Sequence, residues 1–147
     1  MSVSLLDANV LLALAWPNHL HHTAAHRWFK QNHQLGWATC PLTQLAFVRL
    51  SMQPAVVKVP ILFGDVMAAL AQITAADGHS FWPVKAGLTE LHPELRARIM
   101  GHNQVTNAVL LDLAIRHKGR LATFDRKIAA LLPSGSPQQK SLTIIPA

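Results

Sequence analysis

The sequence predicts an α/β domain with a parallel sheet covered by helices on both faces. Three observations carry this: short apolar strand-like runs alternate with helix-like stretches along the whole chain, two of those runs end in an aspartate that opens a helix, and no repeat or internal linker divides the chain. At 147 residues, 1–147 reads as a single domain able to bury its own core.

The elements follow in order. Ser2 to Leu6 is short and apolar, ends in Asp7, and leads into a helix from Ala8 to Ala15 that Pro17 closes. Thr23 to His33 is helical, with Ala24, Ala25, Trp28 and Phe29 on one face, and Trp37 to Thr39 is a short strand. Thr43 is read as the cap of a helix through Gln44, Phe47, Val48 and Leu50, which Gln53-Pro54 ends. Pro60 opens a longer helix, Ile61 to about Ala76, stopped by Asp77-Gly78, so that the two form a helical hairpin. Ser80 to Val84 reads as a strand, Thr89 to Ile99 as a short helix or turn-rich segment, and Gln104 to His117 as a strong helix ended by Gly119. Leu121 to Phe124 is a strand, Asp125 opens a short helix, and Leu142 to Ile145 is the last strand.

Composition removes several classes. Half the residues are hydrophobic and only 14% are charged, too apolar a balance for a disordered segment. The apolar stretch Val10 to Trp16 falls well short of the ~20 residues that span a bilayer, so no membrane association is expected. The N-terminus has no basic region before its apolar run, and a single cysteine, Cys40, cannot form an internal disulfide framework; both point to the cytoplasm. The net charge is +6, and Arg116, Lys118, Arg120, Arg126 and Lys127 fall close together, a field that suits a polyanion.

Asp7 and Asp125 share a grammar: each follows an apolar strand and begins a helix. In a parallel sheet both lie on the carboxyl edge, where open α/β sheets place their ligands. Each is either a simple helix cap or part of a divalent-metal site, since carboxylate oxygens are what Mg²⁺ and Mn²⁺ prefer. Asp112 follows Asn107 by five residues, about 140° around a helix, and Arg116 is placed four residues on to pair with it; a metal-ligand role for Asp112 is the lesser reading. His19, His21, His22 and His26 form a surface cluster at a helix start, without the cysteines or glutamate of a zinc motif. Trp16, Trp28, Phe29, Leu62, Phe63 and Met67 have the spacing of core residues.

Four strings in register resemble the VapC toxins of the PIN-domain family. They are Leu6-Asp7-Ala8-Asn9; Thr39-Cys40-Pro41-Leu42-Thr43-Gln44 with Phe47-Val48-Arg49; Gln104-Val105-Thr106-Asn107-Ala108 with Leu110-Leu111; and Leu121-Ala122-Thr123-Phe124-Asp125-Arg126. The resemblance implies a PIN-like three-layer α/β/α fold with a protruding helical hairpin. It also implies a metal-dependent endoribonuclease acting on tRNA or rRNA with Mg²⁺ or Mn²⁺, a VapB-type antitoxin that neutralises it, and a homodimer. Asp7 matches the family's first acid and Asp125 its last; Gln44 stands at the second acid's position and Asn107 at the third's. These four are the candidate catalytic residues. Asn9, Thr43 and Thr123 are candidates to orient ligands or water, and Arg49, Arg116 and Arg126 to contact RNA. An amide oxygen still coordinates but brings no charge and cannot serve as a base. The alternative is therefore a degenerate PIN protein that binds RNA or antitoxin with little or no cleavage, and a third reading is a structural partner that uses its basic surface for docking alone.

Overall fold

The computed structural model describes residues 2–147. Five parallel strands form one sheet in the order β3-β2-β1-β4-β5: β1 Ser4–Leu6, β2 Trp37–Thr39, β3 His79–Phe81, β4 Arg120–Thr123 and β5 Leu142–Ile144. Alternation along β1 sends Leu5 and Leu6, both fully buried, to opposite faces. On the Leu5 side the sheet packs with Ala38 and Leu121 against Leu110, Leu111 and Ala114 of α7 (Val105–Arg116) and against Leu95 of the short helix α6 (Pro93–Arg96). On the Leu6 side Trp37 and Ala122 meet α1 (Ala8–Ala15), α2 (His22–Asn32), α3 (Pro41–Ser51) and α5 (Phe63–Thr74) through Val10, Trp28, Phe47 and Leu70. The three-layer α/β/α architecture is thus present, with α3 packed against α5 as the hairpin.

Local chemistry explains the boundaries. Helix α1 is apolar nearly all round, as a buried helix must be, and its end is tied by the histidine cluster: His22 Nδ1 lies 2.7 Å from the Ala13 carbonyl and His26 Nε2 2.9 Å from that of Leu14. Trp16 Nε1 donates to Ser51 Oγ at 2.9 Å, joining the ends of α1 and α3. A side chain at Gly119 has no room, because a Cβ there would stand 2.6 Å from the Val3 carbonyl oxygen and 2.8 Å from the Trp82 ring.

Several expectations are corrected. Cys40, not Thr43, caps α3: Pro41 takes the first helical position, and Thr43 is buried within the first turn, where its hydroxyl accepts from the Cys40 amide at 3.0 Å. The hairpin's second helix starts at Phe63 rather than Ile61, because the chain first makes the short helix α4 (Pro54–Val57) and Leu62 is still extended. The third strand is His79–Phe81, shorter than expected, and the helix after Asp125 is the 3₁₀ segment Arg126–Leu131. A 3₁₀ turn, His102–Gln104, precedes α7. Trp28 is core and Trp16 and Phe29 pack against it, but Leu62, Phe63 and Met67 are exposed by 74%, 56% and 40%. Among the described residues no helix is long and apolar enough to cross a membrane.

Candidate active site

Chain direction around the sheet fixes where a site can form. From β1 the chain builds outward through β2 and β3 on one side, and β4 and β5 lie on the other, so the order reverses between β1 and β4. Side connections diverge there and leave a crevice at the carboxyl ends of the two strands. Asp7 directly follows β1, and Asp125 stands two residues past the end of β4.

Thr123, fully buried, joins them. Its hydroxyl donates to Asp7 Oδ2 at 2.6 Å and accepts from the Asp125 amide at 3.1 Å and from Asn9 Nδ2 at 3.3 Å. Asn9 Oδ1 in turn accepts from the Phe124 amide at 3.5 Å. Both aspartates also cap, Asp7 accepting from the Ala8 amide at 2.8 Å and Asp125 from that of Lys127 at 3.0 Å. Capping and site formation are therefore one arrangement here: the bonds that close the helices also set the carboxylates. Burial lifts the Asp7 carboxyl above its ordinary value; hydrogen bonds from Thr123 and Ala8 oppose this, and the nearby Asp125 charge adds to it. A buried carboxylate whose ionisation is opposed by burial and by a neighbouring carboxylate is a donor that a cation relieves.

Asn107 lies in the first turn of α7 and lines, together with Asp125, an open cleft of about 780 Å³. Gln44, in the first turn of α3, points its amide elsewhere: Nε2 donates to Thr39 Oγ1 at 2.9 Å, and that hydroxyl is 2.7 Å from His79 Nε2. Burial holds the His79 ring below its ordinary pKa. Sequence reasoning missed this Thr39–His79 anchor, although Thr39 stands in the quoted string beside Gln44.

Asp112 is not brought to this crevice. It is buried, accepts from Arg116 Nε at 2.6 Å and from the His92 amide at 3.0 Å, and lines a separate cavity with Leu91 and His117. Arg116 lies with it: it ends α7, about 13 Å along the axis from Asn107, and is engaged by Asp112 and the Glu90 carbonyl. Arg126 is exposed next to Asp125, Arg49 is exposed in the last turn of α3, and Thr43 is bonded to Cys40. Among the described residues no three His, Cys, Asp or Glu side chains cluster as a metal site. What the crevice offers is two carboxylates and, across the cleft, an amide oxygen, hard donors of the kind that hold Mg²⁺ with several waters retained.

The fold and site thus define a parallel α/β domain with an aspartate pair at its switch point, the place where such sheets bind their ligands. No family model matches the chain. Among curated proteins, Ribonuclease VapC39 of Mycobacterium tuberculosis (strain ATCC 25618 / H37Rv) is 43% identical over 132 residues, covering 90% of this chain and 95% of the relative. Ribonuclease VapC38 of the same strain is 43% identical over 129 residues, covering 88% and 89%. Ribonuclease VapC44 is 38% identical over 141 residues, covering 96% and 99%. Among solved structures, VapBC2 from Rickettsia felis bound to a promoter DNA fragment superposes with a TM-score of 0.65 at 14% identity, covering 97% of this chain and 98% of that one. The Sarcin-Ricin loop cleaving toxin VapC20 of Mycobacterium tuberculosis gives 0.63 at 16% identity, covering 86% and 93%. The chain belongs to the VapC ribonuclease family of PIN-domain toxins.

Proposed function

We propose that this chain is a divalent-metal-dependent endoribonuclease, the toxin half of a toxin–antitoxin pair, that cuts tRNA or rRNA and is neutralised in the cytoplasm by a VapB-type antitoxin. The observation that carries the reading is the Asp7–Thr123–Asp125 linkage at the switch point. Asp7 and Asp125 hold the cation, Mg²⁺ or Mn²⁺, and Asn107 offers a neutral oxygen across the cleft. When bound, the ion supplies the positive charge that stabilises a phosphate during in-line displacement. Thr123 and Asn9 keep the Asp7 carboxylate turned and the segment Phe124–Asp125 in place. Arg126, beside Asp125, is positioned for phosphate contact. The rRNA arm draws support from the structural neighbour VapC20, a Sarcin-Ricin loop cleaving toxin. The antitoxin draws support from the VapBC2 complex, and the exposed Leu62, Phe63 and Met67 of the hairpin give an apolar surface for it or for a second copy in a homodimer.

The test is cleavage of total tRNA and rRNA by antitoxin-free protein in Mg²⁺ and in Mn²⁺, beside Asp7→Ala and Asn107→Asp. Cutting by the parent and none by Asp7→Ala is expected. The second reading, a degenerate PIN protein that binds without cutting, is favoured by Asn107 and by the Gln44 amide bonded to Thr39 rather than to the acids; it requires that only Asn107→Asp cuts.

A further inference from the structure

The cleft shared by Asp125 and Asn107 extends well beyond the residues discussed so far. One wall is the 3₁₀ turn His102–Gln104 with Met100 and Gly101; the other is the segment that begins at Asp125 and runs through Lys127 to Leu131. A smaller cavity of about 340 Å³ shares Met100, Gln104 and Ala130 with it and adds Arg98, so the depression continues as a track away from the acids. Its walls are held in place: Gln104 Oε1 accepts from the amides of Met100 at 2.7 Å and Gly101 at 3.2 Å, and Arg98 Nε bridges to the Ala130 carbonyl at 2.9 Å.

Against this fixed frame, His102, Asn103, Asn107 and Lys127 all line the large cleft, and none makes a side-chain hydrogen bond among the described residues. Unengaged donors converging on one cavity are what a polar ligand requires, and the volume lies within the range of ordinary ligand sites. The lower wall is apolar, with Ile128 and Leu131 buried behind it and Met100 exposed by 88% at its rim. Apolar platform, amide and imidazole groups at an edge, and an ammonium beside the acids match the parts of an unstacked nucleotide: base face, base edge and phosphate.

We propose that this cleft is a nucleotide subsite, which seats one splayed base of single-stranded RNA next to the scissile phosphate, with Lys127 on the backbone and Asn103 and His102 on the base edge. It rests on the ribonuclease reading above for its position beside the cut but not for its binding test. The occupant is RNA rather than an acidic peptide because the polar wall carries amide and imidazole groups suited to base edges, and because the track starts at Asp125, whose carboxylate would repel an acidic peptide. Selectivity among RNAs then resides in the His102–Gln104 turn rather than in the acids.

The experiment uses a labelled ten-nucleotide single-stranded RNA of mixed sequence and the whole chain carrying Asp7→Asn so that the probe stays intact. Ala130→Trp fills the cleft from an exposed position, and Lys127→Ala removes the cation while leaving the backbone bond to Asp125. Binding is expected to weaken about tenfold or more for Ala130→Trp. For Lys127→Ala the slope of log affinity against log salt falls by about 0.7, the value for one phosphate contact on a single strand. Asn103→Ala is expected to flatten the ranking of homopolymer probes. Undiminished RNA binding by Ala130→Trp, with an unchanged melting temperature, overturns the proposal. Cleavage is read separately on chains with Asp7 intact: if the parent and Ala130→Trp cut with equal kcat/KM the subsite falls and the nuclease stands, whereas binding lost with Ala130→Trp in a chain that never cuts supports the subsite and removes the nuclease.

Discussion

Asp7→Asn separates the cost of an unrelieved carboxylate from its use. Burial raises the Asp7 pKa in the folded chain above the 3.8 of an unperturbed carboxyl. Between that ordinary value and the raised one, the folded state keeps a proton that the unfolded state has lost, so stability falls as pH rises through this window and stays lowered above it. Above that window and without metal the ionised Asp7 therefore destabilises the fold, and asparagine, whose Oδ1 still caps Ala8, should melt higher than the parent. That advantage should vanish below the ordinary carboxyl pKa, where Asp7 is protonated in both states. A divalent ion reverses the order. At a hundred times its dissociation constant it stabilises the parent by about 2.7 kcal/mol. With unfolding entropy near 2.1 cal/mol/K per residue, about 0.3 kcal/mol/K for 147 residues, this raises the melting temperature by about 9 °C. The variant should lose most of that shift. Differential scanning fluorimetry with and without Mn²⁺ at two pH values reads all four corners. Equal metal shifts in parent and variant, or a metal-free variant that melts below the parent at the higher of the two pH values, would refute the reasoning.

Gly119→Ala drives a Cβ into the Val3 carbonyl and the Trp82 ring, an overpacking that costs about 1–3 kcal/mol and is expected to lower the melting temperature by about 3–10 °C, measured in the same assay. Asp112→Asn weakens the pair with Arg116 at the end of α7 remote from Asn107; it should lower the melting temperature while leaving the Mn²⁺-induced shift intact, and a lost shift would return Asp112 to the metal site. Thr123→Val removes the hydroxyl that joins the two aspartates without changing side-chain shape, and is expected to reduce kcat for RNA cleavage far more than it changes KM.

Legibility in the sequence followed the range of the forces involved. Asp7 and Asp125 were readable because strand, cap and helix are consecutive in the chain, and a parallel sheet puts every such junction on one edge. The Asp112–Arg116 pair was readable for the same reason, being four residues apart on one helix. Thr43 was misread because Ser, Thr, Asp and Asn are the usual caps, and a cysteine followed by proline carries no such signal; Pro41 shifts the start three residues earlier. Leu62, Phe63 and Met67 have core spacing, but whether a helix face meets protein or solvent depends on partners that spacing does not encode. The Gln44–Thr39–His79 chain joins β2, α3 and β3 over 40 residues, and the cleft behind Asp125 is walled by segments more than 20 residues apart; neither leaves a local pattern.

Amides at Asn107 and Gln44, where the family resemblance implies acids, change more than cation affinity. With Asn107 and Gln44 neutral, the crevice holds the charge of Asp7 and Asp125 alone within a chain of net charge +6. A polyanion approaching without metal meets less repulsion than a four-acid site would give, while a cation finds fewer charged ligands. Asn107→Asp should therefore move the two affinities in opposite directions. It adds a carboxylate across the cleft from Asp125, which tightens Mn²⁺ by about tenfold, or about 1.4 kcal/mol, and weakens binding of single-stranded RNA in chelator, most at low salt, where such repulsion is least screened. Titration of the same variant with Mn²⁺ and, separately, with RNA in chelator measures both. If Mn²⁺ and metal-free RNA binding both tighten or both weaken, Asn107 does not share an electrostatic site with Asp125, and its place in the cleft is structural.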